Sequence, residues 1–245
     1  MRSQYFDESG KITPEGLRRM KLVAYKAMGI PISHQHLELE HFRTNQDSNN
    51  NPLGLAETKV KEKALAFTRK YIEQIGGILS GAKLVVESSS SKQALSSNNI
   101  IYHGGTSSGK TLLGVVILKE AIPHSYNYNL GFYDWDELVD TLSNFNEPDT
   151  VQRLEREMKS KDLIVIDGVT VGEDEYKKLN SYFRQKFDAI ISARLRKGQP
   201  SIWTTSCFPS DMMSQLGNQG KAFIRDAFIV PLPTSGDEAE LKEID

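Results

Sequence analysis

Asn99-Ile-Ile-Tyr-His103 leads into Gly104-Gly-Thr-Ser-Ser-Gly109-Lys110-Thr111, and that into Leu112-Leu-Gly-Val-Val-Ile-Leu-Lys-Glu-Ala-Ile122. A short apolar run, a glycine- and serine-rich loop and a longer apolar run give the order strand, loop, helix, and the loop fits the pattern G-x-x-x-x-G-K-[ST]. Glycines let successive backbone N–H groups turn inward around phosphate oxygens, and the helix that follows adds its positive N-terminal end. Gly104, Gly105, Thr106, Ser107, Ser108, Gly109, Lys110, Thr111 and Leu112 are therefore the expected binding residues for ATP. Lys110 would neutralise the terminal phosphates, and Thr111 would hold Mg2+ through its hydroxyl.

Downstream, Leu163-Ile-Val-Ile-Asp167 is a four-residue apolar run ending in a carboxylate. It reads as a Walker B strand, with Asp167 beside the phosphate loop as the second metal-site residue. The next position usually carries an acid that orients the attacking water in a hydrolytic site, but here it is Gly168. Removing a water-positioning group typically costs orders of magnitude in rate. Glu173, Asp174 and Glu175 follow closely and could substitute, although the same residues suit the first turn of a helix.

Further apolar strand candidates lie at Leu130–Tyr133 and Ser201–Ser206, and helix-length segments separate all four. Such strands, joined by helical connections, predict a parallel sheet covered on both faces, an α/β fold with three layers. Before it, Thr13 and Pro14 start a helix running to Met28, stopped by Gly29 and Pro31. A second helix is expected from Leu55 to Gln74, with Gly76-Gly77 as its cap. The serine-rich stretch Ser88–Asn99 reads as a flexible surface insertion. The expected organisation is an N-terminal helical extension and lead-in over 1–54, an ATPase domain over 55–236 with an insertion near 84–98, and an acidic tail over 237–245.

Composition narrows the partners. Lys and Arg total 30 against 32 Asp and Glu, a formal charge of −2, so any nucleic-acid contact must be local. The local sets are Lys59, Lys61, Lys63, Arg69 and Lys70, diluted by Glu57, Glu62 and Glu73, and then Arg184, Lys186, Arg194, Arg196 and Lys197. Either could meet phosphate, and either could be a solvated face. Tyr126, Tyr128, Phe132, Tyr133 and Trp135 read as strand and core aromatics. The five histidines show no metal-ligand spacing. A single cysteine, Cys207, leaves no intrachain disulfide and reads as a small buried side chain. With no run of 18 apolar residues and no apolar core in the first sixteen, a soluble cytoplasmic protein without membrane contact is expected.

Over residues 29–232 the chain resembles the DnaC/DnaI-type helicase loaders and the related IstB-type transposition ATPases of the AAA+ superfamily. The resemblance rests on the two motifs above, on Gly29-Ile-Pro31 with His41-Phe42, on Phe132–Leu142, on Arg194–Ser206 and on Phe223–Pro231. It implies an AAA+ P-loop NTPase fold and a sensor residue at Ser206, where the family usually has Asn. It further implies a late helix whose Arg225 reaches the nucleotide of a neighbouring subunit. Lys110, Asp167, Ser206 and Arg225 are then the catalytic set, and ATP-dependent self-assembly follows. The function implied is ATP-controlled action in replication initiation, with a replicative helicase or another replication protein and single-stranded DNA as partners. The alternative is a nucleotide-gated adaptor with little or no hydrolysis, such as an IstB-like transposition helper, and Gly168 favours it. A small-molecule kinase is disfavoured, because no acceptor site or arginine-rich lid follows Asp167.

Overall fold

The computed structural model describes residues 13–47, 49–88, 91–95, 97–171 and 179–234. The acidic candidates Glu173, Asp174 and Glu175 and the tail 237–245 lie outside the described residues. Helix α1 spans Pro14–Ala27, with the Thr13 hydroxyl accepting from Gly16 N at 2.9 Å as its N-cap. Helices α2 (Leu55–Glu73) and α3 (Ile75–Leu79) follow, then β1 (Val85–Ser88), β2 (Ser91–Ala94), β3 (Ile100–His103) and α4 (Lys110–Glu120). The second half contains β4 (Leu130–Asp134), α5 (Trp135–Ser143), α6 (Pro148–Ser160), β5 (Leu163–Val169) and α7 (Ser181–Lys197). It closes with β6 (Ser201–Thr205), α8 (Pro209–Gln215), α9 (Asn218–Asp226) and β7 (Phe228–Pro231).

Five strands form one parallel sheet in the order β4-β5-β6-β3-β7. Their apolar residues alternate between two cores, as a period of two requires. Ile100, Tyr102, Leu163 and Val165 face a core shared with α1, α2 and α4, while Ile101, Ile164 and Ile166 face one shared with α5, α6, α7 and α9. Burial on both sides explains why these strands read as unbroken apolar runs. Helix α4 is buried from Leu113 through Lys119, which accounts for its lack of a polar stripe.

Several expectations need correction. Gly76 and Gly77 do not cap α2 but lie within α3, where a Cβ on Gly76 would meet His124 Nδ1 at 2.8 Å. The serine-rich stretch begins at the last residue of β1 and holds β2, which pairs antiparallel with β1, and its last residues, Ser97, Asn98 and Asn99, are buried. Asn98 accepts from Leu84 N at 2.8 Å and donates to Ala82 O at 2.7 Å, and the Asn99 side chain accepts from Ser201 N at 2.9 Å. These amides substitute for backbone partners at the start of β3, a role that composition conceals. The segment Phe223–Pro231 is not one helix, because α9 ends at Asp226 and the rest is the edge strand β7. Tyr126 is exposed rather than in the core.

Arg194 differs most from its reading as a surface cation. It is 1% exposed and donates to Ser201 Oγ at 2.8 Å, Met158 O at 2.7 Å, Lys161 O at 2.8 Å and Pro200 O at 2.7 Å. Its guanidinium joins the ends of α6 and α7 to the start of β6. Burial lowers its pKa to about 10, against the opposing pull of Tyr133, Asp162 and Tyr71, so it stays charged at neutral pH. Replacement by Leu would remove the guanidinium from three carbonyls and the Ser201 hydroxyl, leaving Pro200 O only its longer bond from Ile164 N at 3.4 Å, and Arg194→Leu is expected to lose roughly 3 kcal/mol or more of stability, measured by urea unfolding.

Candidate nucleotide-binding site

The loop 104–111 is clamped at its root from both neighbouring strands. Gly104 N donates to Thr205 O at 3.2 Å, and Gly105 N donates to Pro233 O at 3.0 Å. A Cβ on Gly104 would lie 2.5 Å from Leu232 O, so close backbone approach fixes glycine there. At the far end Gly109 has φ +101°, and a Cβ would lie 2.6 Å from the Phe42 ring. Ser107 holds φ +60° without being glycine, the kind of local strain that collects at binding loops. No side chain caps the N-terminus of α4, so its first-turn N–H groups are open to an anion.

Lys110 folds back onto the loop, donating to Gly104 O at 2.8 Å, Gly105 O at 2.6 Å and Ser108 Oγ at 3.4 Å. Burial lowers its pKa, and Asp167 opposes that shift. His103, at the end of β3, is also lowered, by burial and then by the Lys110 charge. Its Nε2 is buried without a hydrogen-bond partner among the described residues, and its ring packs against Phe208 with centroids 5.1 Å apart.

Asp167 is not on a strand adjacent to β3, since β6 lies between them. Thr111 bridges the gap, its hydroxyl donating to the two Asp167 oxygens at 2.9 and 3.0 Å. From β6, the Thr204 hydroxyl donates to Asp167 Oδ1 at 2.5 Å and accepts from Gly168 N at 2.8 Å. Ile166 pairs with Trp203 and Val169 with Thr205, so Asp167 and Gly168 together oppose Thr204 in a β-bulge. Gly168 has φ +75°, and among the described residues, its chain neighbours apart, no atom lies within 4 Å of where its Cβ would stand. The missing acid thus coincides with a backbone turn that side chains disfavour.

Thr111 and Asp167 are oxygen donors already in contact, which fits Mg2+, a cation that takes one or two protein oxygens and completes its shell with water and phosphate. Among the described residues no three His, Cys, Asp or Glu side chains cluster as a protein-only metal cage.

Beside the loop, an open cavity of about 410 Å³ is lined by His41, Phe42, Arg43, Lys61, Ser108 and Leu112, among others. The lead-in that forms its wall is pinned by two buried lysines. Lys119 Nζ donates to Gln35 O at 3.2 Å, Leu37 O at 2.5 Å and Glu38 Oε1 at 2.7 Å, while Lys61 Nζ donates to Gln46 O at 2.9 Å. Lys61 is therefore not part of an exposed basic face. Neither Ser206 nor Arg225 joins the cluster. Both are exposed, Ser206 just past β6 and Arg225 on α9, and among the described residues no hydrogen bond or ion pair ties either to the loop. Cys207 is half-buried, its sulfur accepting from Val171 N at 3.4 Å.

No family model and no curated protein matches this sequence. Solved structures do match it in fold. A DnaC helicase loader aligns with TM-score 0.53 and 15% identity over 79% of this chain and 99% of that one. DnaI aligns with TM-score 0.51 and 14% identity over 77% and 91%. The replication initiator DnaA bound to AMPPCP and single-stranded DNA aligns with TM-score 0.51 and 16% identity, covering 80% of this chain. This chain spans about half of that initiator, 49% of its length. The parallel sheet with helices on both faces is thus an AAA+ P-loop NTPase fold. Within that class its architecture is similar to helicase loaders and replication initiators. Among the described residues no helix is long and apolar enough to cross a membrane.

Because no described residue crowds Gly168, the cost of substitution there is set by its positive φ. Gly168→Ala is expected to cost about 1–2 kcal/mol, read as a lower denaturation midpoint with an unchanged slope.

Proposed function

We propose that this chain binds ATP and Mg2+ at the loop 104–111 and acts as a nucleotide-controlled loader in DNA replication initiation. On this reading ATP governs assembly on a replicative helicase or on single-stranded DNA. The observation that carries it is the contact of Thr111 with Asp167, next to Lys110 and an uncapped helix N-terminus. Phosphate oxygens would take the loop N–H groups, and Lys110 would exchange the Gly104 and Gly105 carbonyls for phosphate. The Thr111 hydroxyl would turn from Asp167 towards the cation, and the base would enter the cavity between Phe42 and Leu112. Bound Mg2+ would supply charge compensation for the β and γ phosphates.

Two similar structures support the replication setting, one a helicase loader and the other an initiator with AMPPCP and single-stranded DNA. Exposure of Arg225 suits a role at the nucleotide of a neighbouring copy, with ATP joining subunits. Ser206, exposed and directly after Thr205, whose carbonyl accepts from Gly104 N at 3.2 Å, would serve as the sensor beside the loop root. Gly168 favours a second reading, an adaptor that binds ATP and turns it over slowly, like a transposition helper.

Wild type is expected to bind ATP in equilibrium dialysis, and Lys110→Ala to weaken binding roughly 10- to 100-fold, the worth of a charge-assisted contact. Equal affinity in the two proteins refutes the site. Steady-state turnover with and without single-stranded DNA separates the readings, since DNA-stimulated hydrolysis supports the loader and negligible turnover the adaptor. Arg225→Ala is expected to keep ATP binding in the monomer and lose ATP-dependent assembly in sedimentation, and unchanged assembly removes its interface role.

A further inference from the structure

We infer that Thr204 is the positioning residue of the metal-site carboxylate, holding Asp167 in place when Thr111 releases it. The inference rests on the nucleotide reading above and concerns a residue that neither motif contains.

Asp167 accepts from two hydroxyls, and their situations differ. Thr111 stands at the start of α4, and its hydroxyl oxygen has to turn to the cation if the site is to fill. Thr204 has no such second task. It is 1% exposed, within a strand paired on both sides, with Tyr102 as its register partner on β3. Its hydroxyl accepts from Gly168 N at 2.8 Å, so its hydrogen is committed to Asp167 Oδ1 at 2.5 Å. That commitment fixes the carboxylate rotamer through one oxygen and leaves the other to face the cation. The same hydroxyl satisfies the N–H group exposed by the bulge, coupling the turn at Gly168 to the direction of Asp167.

The side chain uses both of its branches. Its methyl group lies 3.7 Å from where a Cβ on Gly114 of α4 would stand, while its hydroxyl faces the bulge. Valine would keep this shape and lose the hydrogen bonds. Serine would keep the hydrogen bonds and lose the methyl. A merely structural role would make both substitutions act alike on all ligands, whereas a positioning role acts on the cation alone.

The experiment measures ATP binding by the full chain, first in EDTA and then as a function of Mg2+ concentration, for wild type, Thr204→Val and Thr204→Ser. Thr204→Val is expected to raise the half-saturating Mg2+ concentration about tenfold or more, the usual effect of losing a residue that orients a metal ligand, with Mg2+-free ATP affinity within about twofold of wild type. Thr204→Ser is expected to restore the wild-type Mg2+ dependence. If Thr204→Val does not fold, Thr204→Cys replaces it and is compared with Thr204→Ser, from which it differs only by a thiol, a poor donor, in place of the hydroxyl. An unchanged Mg2+ dependence overturns the inference, as does an equal loss of affinity with and without Mg2+. A wild type that binds ATP in neither condition removes the nucleotide reading itself, and the inference with it.

Discussion

Strand β6 forms parallel ladders with β3 on one side and β5 on the other, and that double pairing sets the distance between the glycine-rich loop and Asp167. Two hydroxyls span the gap, one from the helix above the sheet and one from the strand between. The ladder is kept in register from below by Arg194 and Asn99, which take up the backbone groups of Pro200 and Ser201 where β6 begins. A guanidinium buried this deeply would be a liability alone, but four acceptors compensate it. The chemistry at one edge of the sheet thus depends on polar contacts buried at the other.

The sheet and the glycine-rich loop were legible because their signals are local. Period-two strands buried on both faces leave apolar runs, and a loop that packs its backbone on Leu232 and turns at Gly109 with φ +101° needs glycine at fixed spacing. The strand order was not legible, since nothing in Leu163–Asp167 says which strand will lie next to it. Thr204 was missed for the same reason. A threonine in the run Ser201-Ile-Trp-Thr-Thr205 looks like ordinary strand composition, and only its position opposite the bulge gives it a partner. Edge strand β7 was hidden because Phe228–Pro231 is brief and follows a helix without a turn signal.

Charged residues misled in the opposite direction. Lys61 and Arg194 stand in basic sets that read as possible solvated faces, yet they and Lys119 are each buried with their charge on backbone carbonyls. Long aliphatic stems allow such side chains to cross a core and end on polar atoms. Two of the three hold the lead-in against the loop, so that Phe42 reaches Gly109. The only hint in sequence is Lys119 itself, a cation at the end of the apolar run Leu112–Leu118.

The closure of the loop root by the far end of the fold bears on how the protein is made. Gly104 packs on Leu232 and Gly105 is held by Pro233, so more than a hundred residues must leave the ribosome between synthesis of the loop and arrival of its last support. During that interval the nascent chain has the nucleotide motif without its finished shape. Completion of the loop is therefore a late event in biogenesis, and a chain broken off before residue 232 would carry the signature without the clamp that shapes it.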